Sequence, residues 1–120
     1  MGKTLVLSLM VGMLAFASAC SKGGTTTALN VEDFDYPLAS RDAAAGEQVY
    51  ETFCEGCHPG GMEGDGPEIV GAMLTRAQMR WRVRNGGDDM PAFDEGKISK
   101  TELDDLLAFT AGFQAVSLGQ

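Results

Sequence analysis

Two cysteines and the chain's single histidine stand together in the pattern Cys54-Glu55-Gly56-Cys57-His58. Two thiols on one turn can add to the two vinyl groups along one edge of a porphyrin, and a histidine directly after them then lies under the iron. This C-x-x-C-H spacing is the signature for covalent attachment of a c-type haem. The segment therefore predicts one covalently bound haem, with His58 as an axial ligand of its iron.

Three other kinds of site use paired cysteines, and each needs residues beyond this motif. A structural zinc ion takes four ligands, but the chain has one histidine and its third cysteine, Cys20, lies far from the pair. A thioredoxin-type dithiol lies beside a βαβ pattern, which this sequence lacks. Iron–sulfur clusters usually take four thiolates. A non-haem C-x-x-C metal or redox module thus remains as the weaker alternative.

Helix-start signals flank the motif on both sides. The predicted helices span residues 43–53, from 76 to about 84, and from 100 to a stop at Gly112, and they begin at Asp42 or Ser40, at Thr75 and at Ser99. The last two starts are capping boxes, completed by Gln78 and Glu102. Ile98 and Leu103 stand where a hydrophobic staple would pack. No alternating strand pattern occurs, so the sequence predicts an all-α domain.

From about residue 42 to residue 113 the sequence resembles the class I cytochromes c. Three segments carry the resemblance: Gly46-x-x-x-Tyr50-x-x-x-Cys54-x-x-Cys57-His58 is similar to the N-terminal helix and attachment site, Met90-Pro91-Ala92-Phe93 to the distal ligand motif, and Glu102–Phe109 to the C-terminal helix. The resemblance implies three to five helices wrapped around one covalently bound haem. It also implies that the terminal helices cross at a glycine, which would bring Gly46 and Tyr50 against Leu106 and Phe109.

The second axial ligand is predicted to be Met90. Three of the seven methionines lie in residues 1–19, the predicted signal peptide, which leaves Met62, Met73, Met79 and Met90. Met62 follows His58 too closely for the chain to pass round the macrocycle, and Met73 and Met79 lie in or near helical segments, where methionine ordinarily fills a core. Met90 lies in an irregular segment between two helices and is followed by a proline.

The resemblance also implies roles for Pro67 and Trp81. The Pro67 carbonyl would accept the Nδ1 hydrogen of His58, which fixes the ring and raises its basicity as a ligand. Trp81 would donate its indole hydrogen to a haem propionate or, alternatively, simply pack in the core. Arginines 76, 80 and 84 recur at four-residue steps, and we expect them to form a solvated basic stripe on one helix face, with propionates or a partner as the alternative contact.

The N-terminus has the features of an export signal. Lys3 precedes an apolar run that ends in small side chains, so residues 1–19 are predicted to be a signal peptide. The run closes on Ala17-Ser18-Ala19-Cys20, which resembles a bacterial lipoprotein box, with Cys20 as the lipidated residue. An ordinary signal-peptidase site at the same place is the alternative. Residues 20–40 are predicted to be the lipidated cysteine and a flexible linker, and residues 41–120 the cytochrome c domain.

Charge and ligation together predict the kind of function. The formal net charge of −8 disfavours nucleic acid as a partner and favours proteins with basic patches. Histidine and methionine together close both axial positions, which is typical of an electron carrier rather than an enzyme. We therefore expect a monomeric one-electron carrier, tethered by lipid on the periplasmic side of a bacterial membrane, that serves an oxidase, reductase or dehydrogenase. A gas- or peroxide-reactive haem protein with a displaceable Met90 is the main alternative.

Overall fold

The computed structural model describes residues 29–119, and three α-helices form most of their regular structure. In chain order the elements are a 3₁₀ turn Val31–Phe34, α1 (Ala43–Phe53), a 3₁₀ turn Pro59–Gly61, β1 (Leu74–Thr75), α2 (Arg76–Asn85), α3 (Lys100–Thr110), a 3₁₀ turn Ala111–Phe113 and β2 (Val116–Ser117). The prediction of a small all-α domain is confirmed. The predicted signal peptide and Cys20 lie outside the described residues.

Side-chain caps start the three helices at the predicted positions. The Asp42 carboxylate accepts hydrogen bonds from the backbone N–H groups of Ala44 and Ala45, at 3.1 Å each. Both capping boxes form in full, Thr75 with Gln78 and Ser99 with Glu102. The hydrogen bonds from Ser99 lower the pKa of the Glu102 carboxyl, because they stabilise its charged form. Local chemistry therefore sets where each helix begins.

The C-terminal end of the chain differs from the prediction in two details. Helix α3 ends at Thr110 instead of reaching Gly112, and the chain tightens into a 3₁₀ turn before Gln114 adopts a left-handed φ of 57°. Strand β2 then pairs in parallel with β1, with Leu74 opposite Val116. Two residues per strand are too few to show an alternating pattern, which is why this pairing was not predicted.

Helices α1 and α3 cross at Gly46, as the resemblance implied. A Cβ atom at Gly46 would overlap the backbone carbonyl of Asp105, so the two helix backbones are in direct contact there. One turn further along α1, the rings of Tyr50 and Phe109 lie with their centroids 5.3 Å apart. Ile98, at the entry to α3, is fully buried in the same core.

Residues 29–40 pack on the helices, although the sequence placed them in a flexible linker. Their main anchor is Arg80, whose guanidinium donates to the carbonyls of Phe34 (3.0 Å) and Tyr36 (2.6 Å) and to Asp104 Oδ1 (Nη2, 2.7 Å; Nε, 3.0 Å). The other oxygen of Asp104 accepts the Ala39 N–H at 2.8 Å. The folded domain therefore begins well before residue 41.

The prediction that the arginines of α2 form a solvated basic stripe is wrong for Arg80. Its side chain is fully buried, as is that of Asp104, with which it forms an ion pair. The Tyr36 ring covers the guanidinium, with its centroid 3.8 Å from Cζ. Burial is tolerable because a carboxylate and two carbonyls partner the charge.

Within residues 29–119, no helix is long and apolar enough to cross a membrane.

Gly46→Ala should destabilise the protein, since the added methyl group must push α1 away from the α3 backbone. We expect a loss of about 1–3 kcal/mol in the free energy of unfolding, measured by denaturant titration. Gly112→Ala is the matched control, because a Cβ at Gly112 has no atom within 4 Å. Equal stability of the Gly46→Ala protein and the control would contradict the close crossing.

Candidate haem-binding site

The two thiols and the histidine lie on one turn at the end of α1. Cys54 terminates the helix, with its N–H bonded to the Tyr50 carbonyl at 2.8 Å. The N–H groups of Cys57 (3.0 Å) and His58 (2.8 Å) both donate to the Cys54 carbonyl, which folds the motif into a compact turn. Neither cysteine of the motif is paired in a disulfide, and Cys54 is half-buried while Cys57 is exposed. The turn therefore places two cysteine side chains beside one imidazole.

The His58 ring is buried and oriented by the following loop. Its Nδ1 lies 2.7 Å from the Pro67 carbonyl oxygen, and because a carbonyl can only accept, Nδ1 carries the hydrogen. This contact turns Nε2 away from the Pro67 carbonyl, and Nε2 is the ring nitrogen that a metal would bind. A Cβ at Gly66 would collide with the ring, so the absence of a side chain there lets the loop lie flat against it. This is the contact that the resemblance implied between Pro67 and His58.

Tyr50 holds the backbone of the same histidine. Its hydroxyl donates to the His58 carbonyl and accepts the Gly61 N–H at 2.9 Å. Burial raises the pKa of Tyr50 above its ordinary value, so the hydroxyl keeps its proton at neutral pH. Sequence reasoning missed this role and placed Tyr50 only at the helix crossing. The available signal was its position one turn before Cys54, on the face that leads into the attachment turn.

Met90 lies in a tight turn that two backbone hydrogen bonds to Gly87 close. Its N–H donates to the Gly87 carbonyl (2.8 Å), and its carbonyl accepts the Gly87 N–H (3.0 Å). The side chain is half-buried against the apolar core. Of the other candidates, Met79 is buried in the core, whereas Met62 and Met73 are more than half exposed. Met90 is thus a thioether in an irregular segment and only partly enclosed by protein.

Trp81 uses its indole hydrogen within the protein. Nε1 donates to the Leu29 carbonyl at 2.7 Å, and the ring remains partly exposed beside the N-terminal segment. The sequence offered two roles for this residue, a propionate donor or a packing residue. Because the Trp81 indole N–H already donates to a backbone carbonyl, the structure does not favour a hydrogen bond from it to a haem propionate.

The chemistry of the two thiols fits haem better than the alternatives. Burial, with a smaller effect of Cys57, raises the pKa of the Cys54 thiol to about 11. Within the described part of the chain, no three histidine, cysteine, aspartate or glutamate side chains lie where they could hold a metal ion. The pair of cysteines followed by a histidine matches the haem attachment motif and falls short of the four ligands of a structural zinc site.

Tyr50→Phe should destabilise the attachment turn, because the His58 carbonyl and the Gly61 N–H lose a partner in a buried place. We expect the free energy of unfolding of the haem-loaded protein to fall by about 1–3 kcal/mol. Tyr36→Phe is the matched control, since the Tyr36 hydroxyl makes no hydrogen bond with any residue from 29 to 119. A Tyr50→Phe protein as stable as the control would show that the hydroxyl contributes nothing to the turn.

Comparison with known proteins gives two matches. The family model described as cytochrome c oxidase, cbb3-type, subunit III matches residues 41–109, which is more than half of the chain. Cytochrome c6 of Picosynechococcus sp. is 29% identical over 101 residues, a match that covers 72% of this chain and 86% of that protein. No solved structure matches. The region that the family model matches contains the attachment turn, the Met90 segment, α1, α2 and α3 up to residue 109. On this basis the chain belongs to the cytochrome c family, is an electron carrier and carries one covalently bound c-type haem.

Proposed function

We propose that the protein is a membrane-tethered one-electron carrier of a bacterial respiratory or related chain. In this proposal Cys54 and Cys57 attach the haem, and His58 and Met90 are its axial ligands. The observation that supports it most is the orientation of His58, whose Nδ1 is 2.7 Å from the Pro67 carbonyl while Nε2 is left for the iron. The same turn supplies both free thiols.

Each residue of the proposed site has a separate task. The bound haem supplies the one-electron change of its iron. His58 gives a basic nitrogen, since its bond to a carbonyl pushes electron density into the ring. Met90 gives a thioether, which favours the reduced metal and raises the reduction potential. With both positions taken, no coordination site is open to a substrate, and this supports electron transfer over peroxide or gas chemistry.

Charge supports a partner with a basic surface. No lysine or arginine occurs between Arg41 and Arg76, the segment that contains the attachment turn. Its acidic side chains at positions 47, 51, 55, 63, 65 and 68 are all exposed. A negative surface around the attachment turn speeds encounter with a positive one and repels nucleic acid. The proposed partner is an oxidase, reductase or dehydrogenase that presents basic residues where it exchanges electrons.

The proposed tether is a lipid on Cys20. The described fold begins by residue 29, so only residues 21–28 separate it from that cysteine. More than one acyl chain on a single residue gives stable anchoring, which would keep the domain close to its membrane-bound partners. The protein is then exported and lies on the periplasmic side of the membrane.

Met90→Ala should open the iron and lower its potential. Without the thioether, the reduced protein should bind carbon monoxide at neutral pH, and the midpoint potential should fall by at least about 60 mV, a tenfold change in the one-electron equilibrium. Met62→Ala is the control, because that side chain is 52% exposed. Carbon monoxide binding by the unsubstituted protein would favour the gas-reactive alternative, and unchanged behaviour of Met90→Ala would exclude Met90 as the ligand.

Cys20→Ser should release the protein from the membrane. We expect the unsubstituted protein in the membrane fraction of the producing bacterium and the variant in the soluble periplasmic fraction. Ser21→Ala, which changes the adjacent residue and leaves the acyl acceptor in place, should stay in the membrane fraction. An unsubstituted protein recovered soluble with an unmodified Cys20 would contradict the tether.

A further inference from the structure

Arg84 joins α2 to the chain that follows Met90. Its Nη1 donates to the Phe93 carbonyl at 2.9 Å and to the Ile98 carbonyl at 2.6 Å. The Phe93 N–H in turn donates to the Val83 carbonyl at 2.9 Å. Three hydrogen bonds therefore fasten residues 93–98 to the last two turns of α2.

The same helix end also supports Met90 from the N-terminal side. Gly86 ends α2 with a positive φ of 65°, and a Cβ there would collide with the Met90 carbonyl and with the backbone of Pro91 and Ala92. Gly87 exchanges two backbone hydrogen bonds with Met90. Met90 is thus held on one side by the glycines and on the other by the segment that Arg84 binds.

This arrangement leaves Arg84 poorly compensated. Its Nη2 is buried with no hydrogen-bond partner in the described residues, and the one salt bridge recorded there joins Arg80 to Asp104. The hydrogen bonds that Arg84 makes within the described residues go to the two carbonyls after Met90. These contacts point to a role in holding that segment rather than in an ion pair.

We propose that Arg84 is a positioning residue for the axial methionine. By holding the Phe93 and Ile98 carbonyls against α2, it keeps the Met90 segment from swinging away and so keeps the thioether at the iron. This inference rests on the proposed function, in which Met90 is the ligand. Arg84 acts through backbone carbonyls and touches neither the sulfur nor, in this proposal, the haem.

Imidazole titration of the oxidised, haem-loaded protein tests the proposal. Imidazole competes with the thioether, so a looser Met90 segment should raise its apparent affinity; for Arg84→Met we expect about tenfold or more. The absorption band that arises from sulfur-to-iron charge transfer should weaken in parallel. The imidazole affinity of Arg84→Lys should lie between those of the unsubstituted protein and Arg84→Met, because one ammonium group replaces the two-pronged guanidinium. If Arg84→Met does not fold, Arg84→Lys provides the test.

Two arginines on the same helix provide controls. Arg76→Met removes a side chain that makes no hydrogen bond within residues 29–119, and the imidazole affinity of this variant should match that of the unsubstituted protein. Arg80→Met breaks the buried ion pair, so it should lower the melting temperature but leave imidazole affinity unchanged, since Arg80 contacts residues 34, 36 and 104 and not the Met90 segment. An equal rise for Arg80→Met would overturn the positioning role, because general loosening would then explain the effect.

Met90→Ala in the same titration separates the two proposals. If it raises imidazole affinity while Arg84→Met and Arg84→Lys do not, the ligand assignment stands and the role of Arg84 is refuted. If Met90→Ala leaves the affinity unchanged, both proposals fall. A rise for Met90→Ala and a smaller rise for Arg84→Met support both.

Discussion

Backbone contact between α1 and α3 at Gly46 is the constraint on which the haem site depends. It fixes the direction in which α1 delivers its last turn, and with it the position of Cys54. Tyr50, one turn beyond the crossing, packs on Phe109 of α3 while its hydroxyl holds the His58 carbonyl. Because Tyr50 contacts both α3 and the His58 carbonyl, the close approach of the two helices also fixes the position of the histidine backbone.

Hydrogen bonds and an ion pair within the chain then orient the side chains that the helices bring together. The Pro67 carbonyl holds Nδ1 of His58 at 2.7 Å, so a loop rich in glycine sets the orientation of the imidazole ring. On the other side of the domain, Arg80 and Asp104 join α2 to α3 and to the N-terminal segment 29–40. The first set of contacts orients the histidine ring, and the second ties the N-terminal segment to α2 and α3. The buried charges of Arg80 and Asp104 are paired with each other and with backbone groups, which is what makes their burial tolerable.

Features encoded by neighbouring residues were predictable, and features that join distant residues were not. Asp42, Thr75 and Ser99 cap helices through hydrogen bonds spanning two or three residues, so the sequence shows them directly. The Arg80–Asp104 pair joins positions 24 apart, and arginine on a helix is ordinarily exposed, so nothing local indicated its burial. The packing of residues 29–40 depends on that pair and was missed with it. Family resemblance supplied the Gly46 crossing, which periodicity alone does not locate.

The most direct test of the attachment site is tryptic peptide mapping of the exported protein. Because no lysine or arginine lies between Arg41 and Arg76, trypsin releases residues 42–76 as one peptide that contains Cys54, Cys57 and His58. We predict that this peptide absorbs visible light, has the mass of the peptide plus one haem, and reacts with no thiol reagent. Recovery of a colourless peptide of unmodified mass, with both cysteines open to alkylation, would contradict the account.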